Sequence, residues 1–230
     1  MSDPIELQRL LAKVDAHIAE AKLFRDDKEY KDAIGELEVA IELLEQSGWD
    51  NDPSYGMDDG ENQIASRLAD CFGMLGGNLR RLNRLDAALE CFERGRRFED
   101  DPRYNVNSSY NLVNAITLPI EAGQKTASEQ RAALGQAIQA LERQIMSTGP
   151  GTGKRRQDRW AWADYGQCLL LLGRLDEANS AYSRFKAFAN KDNVDSHVAV
   201  LHRLRQALMQ SDPSIVESLD KAIQLLSQPS

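Results

Sequence analysis

The stretch Ser147 to Asp158, STGPGTGKRRQD, holds Gly149, Gly151, Gly153 and Lys154, residue types that could cradle a phosphate. A working phosphate loop needs G-x-x-x-x-G-K-[ST], so that backbone amides wrap the anion, the lysine neutralises it and a hydroxyl holds Mg²⁺. Here Thr148 stands where the first glycine belongs and Arg155 where the hydroxyl belongs. The preceding GQAIQALERQIM has helical spacing rather than that of a buried strand, so the stretch is expected to be a glycine-rich loop, with Gly149 ending a helix. A second candidate, DNDPSYGMDDGE from Asp50 to Glu61, approaches the register of a calcium-binding loop through Asp50, Asp52, Ser54, Asp58 and Glu61. Tyr55 occupies the position that requires a turn glycine, Pro53 is awkward there, and no partner loop follows. It reads as an acidic loop.

The remaining chemistry-bearing residues form no constellation. His17, His197 and His202 lack the i, i+4 spacing that puts two imidazoles on one helix face. Cys71, Cys91 and Cys168 are odd in number and far apart, which suits small buried hydrophobes better than a disulfide framework or a thiolate site. We therefore expect no catalytic residue, no metal and no cofactor. No apolar run approaches the roughly 20 residues of a membrane span. The opening MSDPIELQRLLAKVDAHIAEAK carries Asp3 and Glu6 and no apolar h-region, so a cytoplasmic protein is expected.

Charge is unevenly distributed along the 230 residues. Residues 1–62 hold 17 acidic against 6 basic side chains, whereas residues 103–160 hold 4 acidic against 8 basic. An acidic end thus precedes a mildly basic middle, a field that can steer partners or order neighbouring copies.

The elements that must position any site are helical throughout, because apolar residues return every three or four positions and no alternating β-branched runs occur. Leu7, Leu11, Val14, Ile18 and Ala21 form one stripe, opened by Asp3 as cap and Pro4 as first helical residue. A second helix starts near Asp27 and carries Tyr30, Ala33, Ile34, Leu37, Ala40, Ile41 and Leu44. Further helices are expected at 60–82, 84–99, 104–123, 128–146, 156–173, 175–189, 193–210 and 213–228. They make one domain over 1–230, with hairpins at approximately 4–46, 60–99, 104–146, 156–189 and 193–228.

Two of these hairpins align without a gap. Phe72 matches Trp162, Leu75 Tyr165, Gly76 Gly166, Leu79 Leu169, Leu85 Leu175, Ala88 Ala178 and Phe92 Tyr182. This pattern resembles the tetratricopeptide repeat (TPR), a 34-residue helix-turn-helix. Weaker copies flank the pair: one has Phe24, Tyr30, Ala33, Leu37 and Ala40, with Ala21 in the glycine position, and another has Val113 there, with Ala137 and Leu141 on its second helix. Ile215, Leu219, Ala222, Ile223 and Leu226 suggest a capping hairpin. Ala33 to Ala88 spans 55 residues and Ala88 to Ala178 spans 90, so about 21 extra residues enter each interval relative to the repeat length.

The resemblance implies an all-α, right-handed α-solenoid of about five antiparallel helix hairpins, whose first helices line a concave face. On that basis the partner-binding residues are Lys22, Arg25, Arg80, Arg81, Asn107, Tyr110, Asn111, Asn114, Trp160, Asp164 and Gln167. Asn107, Asn111 and Asn114 would stack on one helix as an amide ladder for an extended peptide, with Tyr110 and Trp160 as anchors. The implied function is a non-enzymatic interaction module, an adaptor, scaffold or regulatory subunit whose partner is another protein or peptide, with no membrane involvement and self-association possible through uncapped edges. The alternative is nucleic-acid binding through Arg80, Arg81, Arg84, Arg94, Arg96 and Arg97 and the loop Lys154, Arg155, Arg156 and Arg159, with Trp160 or Trp162 stacking on bases. The acidic total of −8 argues against it.

Overall fold

In the computed structural model, residues 4–47, 59–104, 106–146 and 155–228 are described. Most of the glycine-rich loop and of the acidic loop, and the Asp3 cap, lie outside them. The expected periodicities appear as ten helices among the described residues: α1 Pro4–Asp26, α2 Tyr30–Glu45, α3 Asp59–Arg81, α4 Leu85–Asp100, α5 Tyr110–Glu121, α6 Arg131–Ile145, α7 Arg159–Leu171, α8 Leu175–Phe188, α9 Lys191–Leu208 and α10 Pro213–Ser227. The α1 stripe Leu11, Val14, Ile18 and Ala21 is buried, as is the α2 stripe from Ala33 to Leu44.

Three hairpins are closed by one turn. After α1, α3 and α7 a single residue takes a left-handed backbone: Lys28 at φ 66°, Asn83 at φ 58° and Gly173 at φ 75°. Around each, two amides return to the helix, as in Glu29 to the Phe24 carbonyl at 2.8 Å, Arg84 to Leu79 at 2.9 Å and Arg174 to Leu169 at 2.9 Å. This is the Schellman closure, which satisfies carbonyls that the helix end would otherwise orphan. Gly123, φ 68°, ends α5 in the same way, with Gln124 returning to the Pro119 carbonyl at 2.9 Å. Thereafter the chain detours through a Thr126–Glu129 capping pair before α6 begins. That detour is where extra residues enter.

The helix expected from residue 104 starts at Tyr110 instead. Pro102–Tyr104 forms a 3₁₀ turn that buries Tyr104 edge-on against Phe98, with ring centroids 5.4 Å apart. Ser108 then accepts the Tyr110 amide at 3.2 Å, so the hydroxyl competes for the helix start.

The chain divides into two compact units, residues 1–112 and 113–230, with the boundary falling inside α5. In the first, α1 pairs with α2 and α3 with α4, while α2 packs on α3. In the second, α7 pairs with α8 and α9 with α10, and α7 is flanked by α6, α8 and α10.

Candidate partner-binding site

Each of the two strongest hairpins is built on a glycine that meets an aromatic ring. A Cβ added to Gly76 on α3 would lie 2.7 Å from Phe92 Cε1 on α4, and one added to Gly166 on α7 would lie 2.7 Å from Tyr182 Cε1 on α8. Both rings are fully buried. In the α1–α2 hairpin the corresponding residues are Ala21 and Leu37, so a methyl enters where the opposing side chain is no longer a ring. The pairing of small residue with large is thus the constant of the repeat.

On the first unit, Lys22 and Arg81 are exposed and Arg25 and Arg80 half-buried. Arg25 is paired with Asp26 at 2.7 Å. Arg81 donates to the Gly77 carbonyl at 3.0 Å and lies 5.8 Å over the Tyr30 ring. Tyr110 sits close to the same place. A Cβ on Gly77 would be 3.3 Å from Arg81 Nη1 and 3.4 Å from the Tyr110 hydroxyl, and one on Gly73 would be 2.9 Å from Tyr110 Cδ1. The tyrosine ring is therefore seated on the glycine-lined face of α3, edge-on to Phe92 at 6.0 Å. Its accessible part is a rim beside Arg81.

The asparagine ladder is not formed. Asn107 is exposed in the non-helical segment ahead of α5, whereas Asn111 and Asn114 are buried at 1% and 6% exposure. Asn111 is wedged between α3 and α4, its Nδ2 donating to the Ala69 carbonyl at 2.9 Å and to Glu99 Oε1 at 3.0 Å. A Cβ on Gly95 would lie 2.5 Å from Asn111 Cγ, so this close approach requires glycine there. Glu99 also accepts the amides of Asn111 at 3.1 Å and Leu112 at 2.8 Å, capping α5 from another helix. Burial pushes the Glu99 carboxyl above its ordinary value, against the lowering effect of those hydrogen bonds and one from Ser108. Sequence reasoning missed this residue, although a signal was present. Glu99, Asp100 and Asp101 crowd the C-terminus of α4, where the helix dipole disfavours acids. Glu99 stands there because it serves the opposite pole of the next helix.

In the second unit the expected groove residues are likewise enclosed. Every residue of α7 from Ala161 to Leu171 is buried, including Asp164 and Gln167. Trp160 is half-buried, tilted over Phe185 at 6.1 Å, and its amide is capped by Asp158 at 2.9 Å. His197 is buried against Tyr182 and Phe185, with Nε2 3.3 Å from the Tyr182 hydroxyl, and His17 pairs with Glu36 at 2.6 Å.

The basic run considered for nucleic acid is largely committed to the fold. Arg155, 9% exposed, is held by Gln144 and Asp158 at 2.8 Å each. Arg156 donates to the Ile145 carbonyl at the end of α6, while its own carbonyl accepts Trp162 Nε1 at 2.8 Å. Arg94 joins Glu45 at 2.6 Å and covers Phe72 at 4.3 Å, and Arg96 joins Asp100 at 2.7 Å. All three cysteines are free and buried, as expected of small hydrophobes; burial pushes the Cys71 thiol up to about 12 and Cys91 to about 11. Among the described residues no group of His, Cys, Asp and Glu could hold a metal ion, and no helix is long and apolar enough to cross a membrane.

The geometry defines the fold class: TPR-like helix hairpins, the building units of all-α solenoids, with the glycine-to-ring crossing and the left-handed turn recurring at matched positions. No protein-family model and no curated protein matches the chain. Among solved structures it is similar to YrrB, described as a TPR protein with an unusual peptide-binding site, at 18% identity over 91% of this chain and 84% of that one, TM-score 0.39. It is similar also to the nearly identical TPR-like repeats of a Podosopora anserina putative kinesin light chain, at 16% identity over the whole of both chains, TM-score 0.45. A third likeness is to MamA MSR-1 C2, at 17% identity over 94% of this chain and 96% of that one, TM-score 0.37.

Proposed function

We propose that the chain is a non-enzymatic protein-protein interaction module, an adaptor or scaffold, that receives a peptide or partner domain on the first-helix face of residues 1–112. The observation that carries this reading is the repeat itself. Stacked hairpins held by a glycine-to-ring crossing extend a surface, and here Lys22, Asn107 and Arg81 stay exposed, Arg81 beside the rim of Tyr110. Of the rest of the expected partner-binding set, Asn111, Asn114, Asp164 and Gln167 are buried and Arg25, Arg80 and Trp160 half-buried, which favours the exposed residues of the first unit as the contact set. The commitment of Arg94, Arg96, Arg155 and Arg156 to intramolecular partners weighs against a nucleic-acid groove.

The test is quantitative co-purification from the native cell with wild type and with Lys22→Ala, Arg81→Ala and Asn107→Ala combined, after equal helical circular dichroism has been verified. A protein depleted at least fivefold from the variant, and shown to bind the purified wild-type chain directly, supports the reading. Equal recovery of every bound protein refutes the assigned face.

A further inference from the structure

Ile5 and Leu23 are the two most exposed large apolar side chains among the described residues, at 58% and 62%, and both belong to α1. At 3.6 residues per turn they share an arc of about 60° with Ala12, Ala16 and Ala19, all three exposed. The arc lies on the side of α1 away from Leu11, Val14 and Ile18, which face the core. The helix therefore carries a second apolar face, and its 23 residues give it the length of a helix-pairing surface.

The flanking charges say what covers that face. Arg9 and Glu20 border the same side of the apolar arc, are exposed, and take part in no ion pair among the described residues. Laying a second α1 antiparallel across the first, about a two-fold axis level with Val14, sets Ile5 against Leu23 and Ala12 against Ala16. The same register brings Arg9 beside Glu20 of the second copy, twice by symmetry. Parallel pairing, about a two-fold along the helix axes, would instead put the Arg9 and Glu20 flanks of the two copies on opposite sides of the interface and leave both charges without a partner. Alanines at the crossing let the axes approach closely, near the lower end of the usual 8–10 Å.

We propose that this face of α1 is a self-docking surface, seating the α1 helix of a second copy of the chain in an antiparallel, two-fold arrangement. Such an interface is isologous, so each substitution acts twice. It is independent of the partner face proposed above. One helix pair buries less than a standard interface, so the dimer is weak and concentration-dependent, with a dissociation constant of roughly 1–100 μM.

Sedimentation equilibrium of the full chain tests it, with circular dichroism confirming unchanged helix content. Arg9→Glu and Glu20→Arg, each alone, juxtapose like charges twice and are expected to weaken dimerisation by about tenfold or more. The double reversal Arg9→Glu with Glu20→Arg restores the pairs in exchanged form and returns the affinity to within about threefold of wild type. Ala16→Glu, at the crossing, abolishes it. A wild type that remains monomeric to about 100 μM overturns the proposal, since association would then be weaker than the register allows. A dimer indifferent to the single reversals, or not restored by the double one, overturns it equally.

Discussion

Replacing glycine by alanine at four helical positions should change stability with opposite signs, and the structure says which. In a helix interior the substitution gains about 0.5–1 kcal/mol, because glycine loses more backbone freedom on folding. At Gly35 on α2 and Gly135 on α6 nothing lies within 4 Å of the added Cβ, so this gain should appear in full. At Gly76 the new methyl would stand 2.7, 2.9 and 2.9 Å from three carbons of the Phe92 ring. Ordinary carbon contacts begin near 3.5 Å, so ring or helix must yield by about 0.8 Å. Phe92 is fully buried and also packed edge-on against Tyr110, which puts the overpacking cost near the upper end of about 1–3 kcal/mol. Set against the helical gain, Gly76→Ala should destabilise by about 2 kcal/mol. Gly166→Ala should do the same through Tyr182, whose ring carbons would lie at 2.7, 2.8 and 3.0 Å. The assay is urea unfolding followed by circular dichroism at 222 nm, comparing Gly76 with Gly35 in the first unit and Gly166 with Gly135 in the second. Each pair should differ by about 2–3 kcal/mol, or about 5–10 °C in melting temperature for a chain of this size. Gly76→Ala matching or exceeding Gly35→Ala in stability would refute the glycine-to-ring crossing as the determinant of the hairpin.

Other perturbations probe the turns, the α5 cap and the thiols. Lys28→Gly should stabilise the chain by about 0.5–1 kcal/mol in the same assay, because a side chain at φ 66° is strained where glycine is not; a loss would contradict the left-handed closure. Gly95→Ala should be strongly destabilising through the 2.5 Å clash with Asn111 Cγ, and Asn111→Ala should relieve most of that added loss, a coupling that a double-mutant cycle measures directly. Because the Glu99 carboxyl is raised in the folded state, its contribution to stability is fully present below the ordinary value of 4.5 and is lost as pH rises through the folded value. Wild type should therefore lose stability relative to Glu99→Gln as pH increases above about 4.5, and a difference independent of pH would show that the Glu99 carboxyl is not raised in the fold. Cys71 and Cys91, with thiols pushed up to about 12 and about 11, should resist a thiolate-selective disulfide reagent at pH 8 until the chain is denatured; rapid labelling of the native protein would contradict their burial.

What the sequence could disclose follows from the range over which each signal acts. The ten helices and the Gly76–Phe92 and Gly166–Tyr182 pairs were legible, because periodicity and a matched small-to-large spacing are local patterns. The turn shared by Lys28, Asn83 and Gly173 was hidden, since three different residues accept one left-handed conformation. The asparagines misled for a different reason. An amide at Asn111 meets the same chemical demand whether the backbone it grips belongs to a foreign peptide or to Ala69 of its own α3, and no local pattern distinguishes the two. What tips the choice is nonlocal: Gly73 and Gly95 open α3 and α4 just enough for Tyr110 and Asn111 to enter, and Glu99 supplies the carboxyl oxygens that accept the first amides of α5. The first turn of α5 thus lies on the α3–α4 hairpin as an internal ligand. Side chains that bind in other contexts are used here to seat the first turn of α5, so the search for an external partner moves to the residues this internal docking leaves outside, Lys22, Arg81 and Asn107.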